Sequence, residues 1–138
     1  MKTVIYNMPV VSEFVSKHIP GNDKFKPDDP NIGLLKNGKL IAGCVFNFYT
    51  GTGICMHVAA TEKGWLNKEF LRSAFRYPFV QLGCRRVTGL VRTDNLEAQK
   101  FDEGLGFKRE GLMRCADDDG CDLIVYGMLR DECRWLDI

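Results

Sequence analysis

Little in this chain points to a metal, a disulfide frame, a nucleic-acid partner or a membrane. Of 138 residues only two are histidine, and the six cysteines form no Cys-x-x-Cys pair, so no zinc set is spelled out. Net charge is +1, which leaves no electrostatic footprint for nucleic acid or an anionic bilayer. The adjacent basic pair Arg85-Arg86 reads as a solvated strand entry. Polar residues interrupt every apolar run before about 18 residues, and Met1-Lys2-Thr3-Val4-Ile5-Tyr6 has no long apolar export region. Cys44, Cys55, Cys84, Cys115, Cys121 and Cys133 lie scattered through apolar segments and are expected as buried free thiols. The expectation is a cytoplasmic, metal-free protein with neither a membrane nor a nucleic acid as partner.

What is present is ordinary globular material, 45% hydrophobic and 27% charged, long enough for one domain over residues 1–138 with a real core. Val10, Val11, Phe14, Val15 and His18 fall at helical spacing between Pro9 and Ile19, and Pro20-Gly21 stops them. Asn22 to Pro30 is polar and proline-punctuated, a loop that could serve as a lid. Leu34-Leu35-Lys36-Asn37-Gly38-Lys39-Leu40-Ile41 is two apolar runs joined by Asn-Gly, the favoured two-residue hairpin turn. The second strand runs on to Tyr49. Thr50-Gly51-Thr52-Gly53 then turns the chain into Ile54-Cys55-Met56-His57-Val58-Ala59, completing an antiparallel meander.

After Gly64 the period changes. Leu66, Phe70, Leu71, Ala74 and Phe75 predict a helix, with Pro78 kinking it or ending its regular part and Leu82-Gly83 closing it. Arg86 to Val91 reads as a strand parallel to the last one. A second helix starts at Asp94 or Asn95, both good N-caps, and Gly104 is expected to stop it. Phe107–Arg114 and Cys121–Leu129 predict a final hairpin around Asp117-Asp118-Asp119-Gly120. That acidic turn lacks the spacing of a calcium loop and reads as a solvated turn. The fold class is therefore a mixed α/β sheet.

Asn95, Ala98, Phe101, Gly106 and Phe107, continued by Lys108-Arg109-Glu110-Gly111, resemble the GNAT superfamily of N-acetyltransferases, and most of all its small stand-alone phage or prophage members. The resemblance covers Asn31 to Leu129. It implies a GNAT-like sheet whose two central parallel strands splay, and an acetyl-CoA-dependent N-acetyltransferase acting on a primary amine by direct attack in a ternary complex. In such a protein pantetheine would lie between Ile54–Ala59 and Arg86–Val91 and bond to backbone near Met56, Val58 and Ala60. The family's phosphate loop has a basic residue and two small ones. Lys63 takes the basic position and Leu66 and Lys68 the small ones, so Lys63-Gly64-Trp65-Leu66-Asn67-Lys68 is a degenerate version of it. Asn95 and Phe101 join the implied cofactor site.

Many members place a tyrosine seven residues after the motif asparagine to protonate the leaving thiolate, and here that residue is Asp102. At the reference carboxylate pKa of ~3.9 it would be an ionised, solvated helix residue rather than an acid; burial would raise it. Strand parity turns His57 away from the acceptor and toward a covering helix. Tyr49, Glu110 and Tyr126 have no positional argument for or against a role. Two other readings stay open: a non-catalytic GNAT-fold module acting on a protein partner, and an unrelated ligand-binding α/β domain. The tail from Arg130, with Cys133, Trp135 and Leu136, would pack on the domain or form a homodimer contact.

Overall fold

The computed structural model describes residues 1–19, 25–62 and 67–137. Asn37 and Gly38 sit at φ 52° and 82°, the doubly left-handed geometry of a type I′ turn. They join β2 (Asn31–Lys36) to β3 (Lys39–Asn47), and β4 (Gly53–Ala60) returns antiparallel to β3 as the meander predicts. A strand without a sequence signal precedes them: β1 (Lys2–Tyr6) pairs antiparallel with β2. Only Val4 and Ile5 are even half buried in it, so it has no clean alternation to read.

Helix α1 (Pro9–His18) lies across β2, β3 and β4. Val11 and Val15 are fully buried, clustered with Val45 and Ala59. Close approach depends on Gly33 and Gly43, where a β-carbon would come 2.7 Å and 2.9 Å from Val11 methyls. Helix α2 (Lys68–Arg76) packs its apolar stripe, Phe70, Leu71, Ala74 and Phe75, into the larger core with Phe46 and Ile54. Asn67 caps it by accepting the Phe70 N–H at 3.0 Å. The regular α-helix ends at Arg76, just before Pro78. The chain widens into a π-helical turn, Tyr77–Gln81, which absorbs the missing proline N–H, and Gly83 at φ 68° releases it toward the next strand.

β5 (Arg86–Arg92) pairs parallel with β4 and antiparallel with β7 (Leu123–Leu129), whose other edge holds β6 (Lys108–Met113). The sheet order is β1-β2-β3-β4-β5-β7-β6. Helix α3 (Leu96–Leu105) starts at Asn95, which accepts the Ala98 N–H at 3.1 Å. It stops at Gly106, φ 113°, not at Gly104. Gly104 sits within the last turn and needs no special backbone, whereas the left-handed stop falls two residues later.

Two further expectations need correction, and one of two open readings, for the tail, is decided. Only Cys44 and Cys84 are buried among the six free thiols, and Cys115 is exposed. The acidic turn is tied down rather than merely solvated: Arg92 binds Asp94, Asp117 and Asp119 at 2.9, 2.7 and 2.9 Å. The C-terminal tail packs on the domain. Cys133, Trp135 and Leu136 join the larger core, the Trp135 indole donates to the Leu105 carbonyl at 2.9 Å, and Arg134 donates to that of Gly104. Among the described residues no helix is long and apolar enough to cross a membrane, and no cluster of candidate metal ligands occurs.

Candidate functional site

β4 and β5 are in register for only three pairs, Gly53–Arg86, Ile54–Val87 and Cys55–Thr88. Both strands run on, to Ala60 and Arg92, but they diverge. From Met56 onward the edge of β4 that faces β5 has no strand partner among the described residues. Backbone donors and acceptors aimed into a gap need some other partner, and a cavity of about 650 Å³ opens there, within the range of small-molecule sites.

Met56, Val58 and Ala60 of β4 and Asn95, Phe101 and Asp102 of α3 and its N-cap all line that cavity. Of the implied phosphate loop, Lys63, Gly64, Trp65 and Leu66 lie outside the described residues. Asn67 and Lys68 stand at the start of α2, away from the cavity lining. The Asn95 side-chain oxygen is already engaged by its helix.

Asp102 differs most from its expected state. It projects from α3 toward β5, its Oδ2 3.0 Å from where a β-carbon of Gly89 would stand. No hydrogen bond reaches its carboxyl among the described residues. Burial, with a smaller contribution from neighbouring Glu103, lifts its pKa to about 7. The group is therefore half protonated near neutrality and not the ionised, solvated carboxylate expected from the reference pKa. Glu103 itself accepts the Tyr126 hydroxyl at 2.6 Å, and burial first, then Glu103, raises that phenol to about 12. Burial likewise raises the thiols of Cys44, Cys55, Cys84 and Cys133, so none of them supplies a thiolate nucleophile near neutral pH.

The opposite wall contains what sequence reasoning set aside. His57 does point to the α1 side of the sheet, sharing parity with Ala59, yet its ring also borders the cavity. Its Nε2 lies 2.8 Å from Asn47 Oδ1 and its ring 5.2 Å from Phe25. The β3–β4 register pairs Val45 with His57 and Asn47 with Cys55, so Asn47 and His57 are diagonal neighbours; counting back from the Thr50–Gly53 turn could have found them. Phe48 follows at φ 54°, 70% exposed, with its ring on the same wall.

No family model matches the chain, and no curated protein does. Solved structures do. The protein yncA of Salmonella typhimurium, solved with its cofactor acetyl-CoA, superposes at TM-score 0.70 and 13% identity over 96% of each chain. A spermidine/spermine N-acetyltransferase from Vibrio cholerae gives 0.71 and 13% over 95% of this chain and 96% of its own. A GNAT-family acetyltransferase from Streptococcus pneumoniae gives 0.69 and 14% over 94% and 99%. Against three other acetyltransferase structures, the chain spans 62% of the other chain's length. The fold of this chain is that of the GNAT acetyltransferases.

Proposed function

We propose that the chain is an acetyl-CoA-dependent N-acetyltransferase acting on a primary amine. The observation that carries this is the β4 edge, which among the described residues pairs with no strand on its β5 side from Met56 onward, facing a cavity that also holds a half-protonated carboxyl, Asp102. These residues fit an acyl thioester: an extended amide-bearing arm can pair with the free strand edge, and a proton donor stands beside the gap. Acetyl-CoA supplies an activated acetyl group and a thiolate leaving group.

Met56, Val58 and Ala60 offer backbone groups to hold the arm, and one N–H there polarises the carbonyl oxygen, a contribution of about 3 kcal/mol in other acyl-transfer sites. As the amine nitrogen bonds to the carbonyl carbon and the carbon–sulfur bond breaks, Asp102 gives its proton to sulfur. The proton shed by the amine goes to solvent. The start of α2, with Lys68 beside it, supports pyrophosphate through its dipole and charge. Ala98 and Phe101 wall the cavity on the α3 side. A primary amine as acceptor is supported by the spermidine/spermine enzyme of the same fold, and a cytoplasmic setting by six free thiols.

The test is amine-dependent thiol release from acetyl-CoA by wild type and by Asp102→Asn. The amide cannot donate a carboxyl proton, so kcat should fall about 100-fold with acetyl-CoA affinity retained. An equal kcat in the variant would remove Asp102 from the chemistry. No thiol release with any amine would favour the non-catalytic, partner-binding reading.

A further inference from the structure

The wall of the cavity opposite Asp102 is aromatic and carries no carboxylate among its described residues: His18, Ile19, Phe25, Asn47, Phe48 and His57. Its rings are held in place. The His18 Nδ1 donates to the Phe14 carbonyl at 2.8 Å, and the two rings lie 4.4 Å apart. The Phe25 and His57 rings are tilted at 58° and 5.2 Å apart, and Asn47 fixes His57 from β3.

Phe48 adds an independent observation. A bulky side chain at φ 54° is a costly backbone state that surrounding structure must maintain, and such states gather at ligand sites. Nothing in the core requires it, since Phe48 is 70% exposed. It keeps a phenyl ring at the mouth of the cavity.

The remaining charges do not suit a polycation. Asp117, across the opening, is fully engaged: Oδ2 takes the Arg92 guanidinium at 2.7 Å and Oδ1 the Asp118 N–H at 2.9 Å. Asp94 and Asp119 are bound to the same arginine. Glu97 stands at the start of α3, on the other wall. Among the described residues, a second ammonium group would find no free carboxylate on the aromatic side.

We infer that the acceptor is a primary amine carried on an aromatic or bulky apolar body, clasped by Phe25, Phe48, His18 and His57. This rests on the transferase reading for its consequence, but not for its test. A flat apolar body stacks on these rings, and the amine end reaches through the gap between β4 and β5 toward the acyl carbon.

The test is direct binding of 2-phenylethylamine and of spermidine to the whole protein without acetyl-CoA, followed through the imidazole NMR signals of His18 and His57. Phenylethylamine is expected to bind about tenfold more tightly than spermidine and to shift both rings. Phe48→Ala, at an exposed site that leaves folding intact, should erase most of that difference, and so should Phe25→Ala. Equal binding of both amines, tighter binding of spermidine, or unmoved histidine signals would overturn the proposal. Because acetyl-CoA takes no part, its failure to bind in a separate titration would sink the transferase reading alone.

Discussion

Asp102 Oδ2 lies 3.0 Å from the position a β-carbon would take on Gly89, so the acid's place against β5 exists because that strand position has no side chain. The relation is steric and local. Gly89→Ala should push Asp102 out of its niche and cost about 1–2 kcal/mol by overpacking, read by urea denaturation. Acyl transfer should fall with it, while Gly111→Ala, where a β-carbon meets nothing, leaves activity unchanged.

The Asp102 carboxyl rises from 3.8 unfolded to about 7 folded. Between those values the folded protein keeps a proton the unfolded chain has released, so this group makes stability fall as pH rises through the window. Below the window both states are protonated and the group contributes nothing. Asp102→Asn removes the ionisation. It should be more stable than wild type by about 2 kcal/mol near pH 8, roughly half the full value of such a shift because solvent reaches the cavity. Near pH 3.5 the two proteins should coincide. Denaturation midpoints at the two pH values check this.

Gly104 and Gly106 should respond oppositely to alanine. At Gly106 the φ of 113° and the Arg134 guanidinium 3.2 Å from the added carbon both oppose a side chain, a loss of about 1–3 kcal/mol. At Gly104 the helix is regular and the space open, so alanine should stabilise by about 0.5–1 kcal/mol. Thermal melts of the two single variants decide it.

Arg92 holds Asp94 and Asp119 well below the ordinary carboxylate range through hydrogen bonds to its guanidinium. Groups depressed in this way stabilise the fold above their unfolded pKa of 3.8 and release that stability as pH falls through the folded values. Arg92→Ala should melt lower than wild type near pH 7 and show a flatter decline on acidification. A parallel pair of curves would contradict the assignment.

Much of the architecture was legible where local chemistry is unambiguous. Asn37-Gly38 can form almost nothing but a tight hairpin turn, and the Asn95–Phe107 spacing marks a capped helix between strands. β1 was not legible, because an edge strand with two half-buried residues carries no period. Gly104 and Gly106 both suit a helix end, and only the backbone angle separates them. At the site, Met56, Val58, Ala60 and Phe101 were placed by the resemblance to the GNAT superfamily, and all four line the cavity. The environment of Asp102 could not be placed that way, since its burial depends on Gly89 and Tyr126 from distant parts of the chain. His57 faces the helix side as parity predicts, but the divergence of β4 from β5 opens that side to the cavity too.

The central claim is that the gap between β4 and β5 takes acetyl-CoA. Calorimetric titration of acetyl-CoA into wild type and Val58→Trp, whose indole would fill the gap, measures this most directly. Wild type should bind in the micromolar range, an interaction of about 8 kcal/mol, and the variant, with its circular dichroism unchanged, should give no heat. No heat from wild type at millimolar acetyl-CoA, or equal binding by the two proteins, would contradict it.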